Sequence, residues 1–119
     1  MTGQASIMLF VSDRPMLSSL QFSLALEGFE VIDGAADGID PSAAVALVID
    51  ENYLADGLAV LAALRARRCT SPAIVLATLP GRAKHALAAA VQAALIEKPL
   101  LDEELTRTLH AILQDRAGA

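Results

Sequence analysis

The sequence predicts an α/β domain built on a parallel sheet. Three observations carry this prediction: short, wholly apolar runs; leucine and alanine patterns of helical period between them; and turn-forming residues at most junctions. Strands that alternate with helices build right-handed βαβ units, and a parallel sheet covered on both faces has strands without polar alternation. At 119 residues, 55% apolar and 19% charged, residues 1–119 fit a single domain. A chain of this size buries roughly two-thirds of its unfolded surface and needs no metal or disulfide staple.

Residues 7–11 (IMLFV) read as the first strand, being short, apolar and β-branched at both ends. The helix that follows, 15–27, places Leu17, Leu20 and Leu24 on one stripe, with Pro15 at a first helical position and Gly28 as its C-cap. A weaker strand candidate lies at 30–32. Residues 33–44 (DGAADGIDPSAA) are rich in Gly, Asp and Pro and leave room for about one helical turn, so one crossover is abbreviated. Residues 45–49 (VALVI) form another strand, and Leu58, Leu61 and Leu64 stripe the next helix. The cluster Arg65, Arg67 and Arg68 at its end reads as a solvated helix terminus, where cations suit the dipole. Residues 73–76 (AIVL) give the fourth strand. An alanine-rich helix over 82–93 follows, with Ala86, Leu87, Ala90 and Val91 sharing a face, and a weak strand at 95–96. In the last helix Asp102, Glu103 and Glu104 place negative charge at the first turn. Leu101, Leu105, Leu109, Ile112 and Leu113 recur there at threes and fours, and the tail 115–119 is expected to fray.

The net charge of −5 argues against a phosphate backbone as partner, because such binding needs clustered Lys and Arg. No apolar run approaches the roughly 20 residues of a membrane helix. The single cysteine, Cys69, and the lack of a signal-like N-terminal run predict a reducing cytoplasm, with Cys69 structural. His85 and His110 fall on different helices without a partner at metal spacing, and no Walker loop, dinucleotide fingerprint or Gly-x-Ser-x-Gly elbow occurs.

Parallel sheets bind ligands beyond the carboxyl ends of their strands. That edge collects Ser12-Asp13-Arg14-Pro15, Asp50-Glu51-Asn52, Ala77-Thr78 and Glu97-Lys98-Pro99. Two carboxylates on adjacent strands repel, and the usual reason to keep Asp13 and Asp50 together is a hard dication such as Mg²⁺. A lysine beside them suits a phosphoryl oxygen. Glu51 and Glu97 read as solvated rim charge.

The segments IMLFVSDRP, VALVIDENYLADGLAVLAALR, PAIVLAT and IEKPL resemble the receiver domain of two-component response regulators, and the likeness covers nearly the whole chain. The resemblance implies a doubly wound, five-stranded parallel sheet in the order 2-1-3-4-5, a flavodoxin-like receiver fold with its second helix shortened or missing. It further implies that Asp50 accepts a phosphoryl group from a sensor histidine kinase or phosphotransfer protein. Asp13, Asp50 and the backbone carbonyl of Asn52 would hold Mg²⁺, and Lys98, before a cis bond to Pro99, would meet the phosphoryl group. Such a protein is a phosphoacceptor with self-catalysed phosphotransfer and autodephosphorylation rather than an enzyme, and with no room here for an output domain it signals by protein contact.

Several residues depart from the family pattern. Ser12 stands where a second acid is usual, and Arg14 where a polar or acidic residue is common. Ala77 aligns with the switch hydroxyl, leaving Thr78 one position late, a candidate site residue whose hydroxyl a one-residue loop shift would bring into place, and Leu95 replaces the partner aromatic. The loop from Asp50 to Gly57 is one residue short. A missing second helix predicts a thinly covered sheet face and therefore a homodimer. The alternative function is a phosphorylation-independent pseudo-receiver acting as a binding or dimerisation module.

Overall fold

The computed structural model describes residues 6–35, 38, 40–100 and 103–118, with side chains through 114. Leu101 and Asp102 of the predicted last helix, and positions 36, 37 and 39 of the abbreviated crossover, lie outside the described residues.

Five strands, β1 (Ser6–Phe10), β2 (Glu30–Asp33), β3 (Ala46–Asp50), β4 (Ala73–Ala77) and β5 (Ala93–Glu97), alternate with α1 (Arg14–Leu26), α2 (Gly57–Ala66), α3 (Arg82–Ala90) and α4 (Glu104–Gly118). The strands pair in parallel in the order β2-β1-β3-β4-β5. No helix among the described residues is long and apolar enough to cross a membrane. Strand boundaries and those of the first helix lie within two residues of expectation, and two helix ends differ in a way that matters. The alanine-rich helix stops at Ala90 instead of 93, because Gln92 turns into the left-handed region (φ 57°) and Ala93 begins β5. The last helix continues to Gly118, past the point where fraying is expected.

Side chains alternate across the sheet, so each strand supplies both cores. Ile7, Leu9, Val48, Ile74, Leu76 and Ile96 face α1 and α4, meeting Leu17, Leu20, Leu24, Leu105 and Leu109. Met8, Phe10, Leu47, Ile49 and Val75 face the other way, toward Leu58 and Leu61 of α2 and Ala88 of α3. The buried thiol of Cys69 belongs to this second core.

The β2–β3 crossover carries a 3-10 turn at Pro41–Ala43 where a helix would otherwise lie. Ser71 fastens this turn to the sheet by donating its hydroxyl to the carbonyls of Ala44 (2.9 Å) and Pro41 (3.3 Å). The space left by the helix is filled from within: the rings of Phe10 and Tyr53 meet edge to face at 5.4 Å. Gly34 lies against the Phe10 ring so closely that a Cβ there would come within 2.5 Å of it. Burial, then the charge of Asp33, pushes the Tyr53 phenol above its usual pKa. Met8 and Phe10 consequently retain only 1% and 5% exposure. On the face where thin cover was expected, Met8 and Phe10 are thus buried, and Ile32 is half-buried. Among the described residues the exposed large apolar side chains are Phe22, Leu26, Leu54, Leu79 and Leu87.

Arg65 also departs from expectation. It is half-buried and donates to four carbonyls: Nε to Val91 (2.9 Å), Nη1 to Cys69 (2.9 Å) and Ser71 (2.7 Å), and Nη2 to Gln92 (3.3 Å). One guanidinium thus gathers the chain ends after α2 and α3. Arg65→Ala strands these acceptors and is expected to lower stability by about 2 kcal/mol in urea unfolding, whereas Arg67→Ala, at an exposed position, should stay within about 0.5 kcal/mol. Equal midpoints for the two variants would contradict the assignment.

Candidate phosphoacceptor site

The strand registers bring the predicted residues to one edge. Phe10 pairs with Ile49, Asp50 with Leu76, and Ala77 with Glu97, so the loops after β1, β3, β4 and β5 open at the same level. Asp50 is the last residue of β3 and is 6% exposed. Its Oδ1 accepts from Lys98 Nζ at 2.7 Å and its Oδ2 from the Asn52 N–H at 3.0 Å. Lys98 continues the parity of Ile96, on the side of the sheet that Val48 and Asp50 share, and the Lys98–Pro99 bond is cis.

Asp13 stands at the same edge, exposed, as the N-cap of α1, with Oδ1 accepting from the Met16 N–H at 3.1 Å. Arg14 makes no ion pair among the described residues, with Asp13 or any other acid. The loop after Asp50 is tight. Asn52 accepts from the Ala55 N–H at 3.0 Å, and Leu54 and Ala55 both adopt positive φ (49° and 73°), a costly conformation for non-glycine residues. Gly57 closes the loop by donating its N–H to the Glu51 carbonyl at 2.7 Å.

Thr78 is exposed, and among the described residues its hydroxyl makes no hydrogen bond; it contributes its backbone N–H. Ala77 is fully buried at the end of β4, and Leu95 is half-buried beside the second core. Glu97 is exposed, as are His85 and His110, the latter with its ring 5.8 Å from that of Phe29.

Glu51 overturns its reading as a solvated rim charge. Its side chain is 10% exposed; Oε1 accepts from Lys84 Nζ at 2.6 Å, Oε2 from the Thr78 N–H at 2.7 Å, and Lys98 Nζ lies 4.0 Å from Oε2. Burial raises its pKa, but the hydrogen bonds from Lys84 and Thr78 and the charges of both lysines outweigh burial, and the carboxyl titrates below its ordinary value. Parity explains the contact: Asp50 and Glu51 project to opposite faces, so Glu51 points toward α3. The inward residues of α3 and its C-cap are Lys84, Ala88 and Val91; of the predicted face Val91 packs inward, whereas Ala86, Leu87 and Ala90 are exposed, Leu87 at 57%. Sequence reasoning missed Lys84; the available signal was its spacing of four and seven to Ala88 and Val91. All three ion pairs among the described residues meet at this edge, joining two acids to two lysines.

For a metal, the donors are all oxygens: the Asp13 carboxylate, the Asp50 carboxylate and the Asn52 carbonyl. Asp13 and the Asn52 carbonyl each accept one hydrogen bond and Asp50 accepts one on each oxygen, which leaves lone-pair capacity on all three, a set that fits a hard cation keeping several waters. The set is lean, and no group of three or more acid, His or Cys side chains at metal spacing occurs among the described residues.

No family model matches the sequence, and no curated protein does. Solved structures do. A CheY-like response regulator receiver domain protein from Methanospirillum hungatei superposes with a TM-score of 0.85 at 17% identity over 98% of each chain. The Vibrio cholerae chemotaxis protein CheY4 gives 0.78 at 20% identity, over 92% of this chain and 99% of its own. The receiver domain of TorR, a response regulator of the TMAO respiratory system, gives 0.77 at 21%, over 93% and 98%. The chain therefore has the receiver fold, in the expected strand order and with the second helix replaced by the turn at Pro41–Ala43.

Proposed function

We propose that residues 1–119 form a response-regulator receiver that accepts a phosphoryl group on Asp50 from a sensor histidine kinase or phosphotransfer protein and signals by contact with another protein. The observation that supports this best is the nearly buried carboxylate at the end of the central strand, held at 2.7 Å by the ammonium of Lys98. A buried acid paired with one cation at the ligand-binding edge of a parallel sheet is arranged for charge chemistry rather than for packing.

In the proposed step one Asp50 carboxylate oxygen attacks phosphorus. A P–O bond forms as the bond from phosphorus to the donor breaks, and its electron pair stays on the departing imidazole nitrogen, or on the acetate oxygen when acetyl phosphate is the donor. Phosphoryl transfer asks little beyond in-line positioning and charge stabilisation, so Asp50 is a phosphoacceptor in a domain that is otherwise no enzyme. Lys98 reaches Asp50 and would hold the phosphoryl oxygens. Asp13, Asp50 and the Asn52 carbonyl would bind Mg²⁺, which when bound supplies positive charge for those oxygens. With Ser12 in place of a second acid, its affinity is expected to be low. Thr78 serves through its N–H, one residue beyond the alanine that takes the hydroxyl's place.

The output face proposed is that of α3, β5 and α4, where Leu87 stands exposed, and a second copy of the chain is one partner it would fit. Intact mass after incubation with Mg²⁺ and acetyl phosphate tests the central claim. Wild type is expected to gain about 80 Da, the mass of one phosphoryl group, and Asp50→Asn none. No gain from any donor, with partner binding unchanged in Asp50→Asn, would instead identify a phosphorylation-independent pseudo-receiver.

A further inference from the structure

The contacts of Glu51 are those of a bound anion. Two ammonium groups and a backbone N–H converge on its carboxylate from three elements: Lys84 from the first turn of α3, Thr78 from the loop after β4, and Lys98 from the loop after β5. These three donors do not depend on the local backbone of Glu51, whose N–H goes to the Leu76 carbonyl and whose carbonyl accepts from Gly57. Two of them have anchors other than its side chain: the Thr78 N–H belongs to the backbone that leaves β4, and Lys98 Nζ is held by Asp50. Lys98 joins this point to Asp50, lying 2.7 Å from Asp50 Oδ1 and 4.0 Å from Glu51 Oε2. An unpaired N–H at a strand end flanked by two ammonium groups attracts an oxyanion strongly, because charge-assisted hydrogen bonds at a partly buried position are weakly screened.

We infer that the Glu51 carboxylate is the resident occupant of an oxyanion-binding position beside Asp50, and that the Thr78 N–H, Lys84 and Lys98 bind a phosphate-type anion once it is removed. On the reading of Asp50 as phosphoacceptor, the consequence is regulatory: an arriving phosphoryl group meets a carboxylate already seated on its donors and must displace it. Glu51 then acts as a brake on phosphorylation, and its displacement releases Lys84 on α3. This gives the site a route to α3 that needs no switch hydroxyl, consistent with alanine at position 77.

The test is a titration of sodium orthophosphate, with no phosphodonor, followed at the Thr78 backbone amide by ¹H–¹⁵N NMR in wild type, Glu51→Ala and Glu51→Gln. Glu51→Ala is expected to show a saturable Thr78 shift with an apparent dissociation constant at least about tenfold below that of wild type, the order expected for removing one partly buried like charge. Adding Lys84→Met to Glu51→Ala should abolish it. Glu51→Gln keeps the side-chain volume and should give the same response at smaller amplitude, even if the alanine variant folds poorly. A flat Thr78 response in both variants, or wild-type binding as tight as theirs, overturns the inference.

This outcome is separable from the phosphoacceptor reading. Saturation in Glu51→Ala with no mass gain in any variant sinks that reading and leaves the anion position standing, whereas a mass gain on wild type with a flat titration does the reverse. If both hold, acetyl phosphate labels Glu51→Ala about tenfold faster than wild type.

Discussion

Gly57→Ala is expected to cost about 3 kcal/mol or more and to disturb phosphorylation of Asp50 in whatever fraction stays folded. A Cβ on Gly57 would lie 2.1 Å from the Asp50 carbonyl oxygen and 3.0 Å from both the Asp50 carbonyl carbon and Ile49 Cγ2. Two of these atoms are backbone of the central strand, which is paired to β1 on one side and β4 on the other, so neither can yield without breaking ladder hydrogen bonds. Nor can the start of α2 retreat easily, since the Gly57 N–H is bonded to Glu51 and Leu58 and Leu61 anchor the helix in the core. Gly81→Ala is the control: a Cβ there meets open space, and the position is the exposed N-cap of α3, so a change within about 0.5 kcal/mol is expected. Urea unfolding compares the two directly, and coincident midpoints would show that the close approach at Gly57 is not what the fold requires.

Lys98→Met is expected to slow labelling of Asp50 by acetyl phosphate roughly 100-fold, the scale seen when one preorganised donor to a developing anion is removed. Stability should fall as well, by about 2 kcal/mol, because Asp50 and Glu51 are consecutive, nearly buried acids that share this ammonium at 2.7 and 4.0 Å. Without it Asp50 keeps the Asn52 N–H as a donor and Glu51 keeps Lys84 and Thr78. Lys98→Arg preserves the charge on a longer, planar head, and should recover most of the stability but little of the rate. The split between the two measurements is the informative outcome. A methionine variant that labels at the wild-type rate would remove Lys98 from the proposed chemistry.

Much of this architecture was legible in the residue order. Apolar runs located the sheet, leucine and alanine patterns located all four helices, and turn residues over 33–44 announced the lost crossover helix. Asp50 was found because it ends an apolar run with a residue that a buried strand would not otherwise carry, and Lys98 through the Lys-Pro pair of IEKPL. What stayed hidden depended on side chains far apart in sequence. Glu51 and Lys84 are 33 positions apart, and their meeting requires knowing that β3 ends at Asp50, which fixes the face its successor occupies. The orientation of α3 was misjudged because alanine at 83, 86, 88, 89 and 90 gives little contrast between faces, so hydrophobic period could not select Ala88. Arg65 was concealed by its neighbours Arg67 and Arg68: three cations at a helix end look alike until the carbonyls of Val91 and Gln92 are known to lie beside one of them. The packing of Phe10 on Tyr53, which replaces the absent helix, likewise joins residues 43 positions apart, and only the tertiary arrangement reveals it.

The modest hold of α3 on the rest of the molecule has a dynamic consequence. Among its nine residues Ala88 is the one it buries, so undocking it exposes little apolar surface. Its moorings are polar and sit at the two ends: Lys84 on Glu51 at the start, and the guanidinium of Arg65 on the carbonyls of Val91 and Gln92 just past the finish. Sub-global opening should begin at this segment, well below the free energy of unfolding the sheet, and its amides should exchange with solvent sooner than those of β3 and β4. A single carboxylate letting go at the first mooring would tip that local equilibrium.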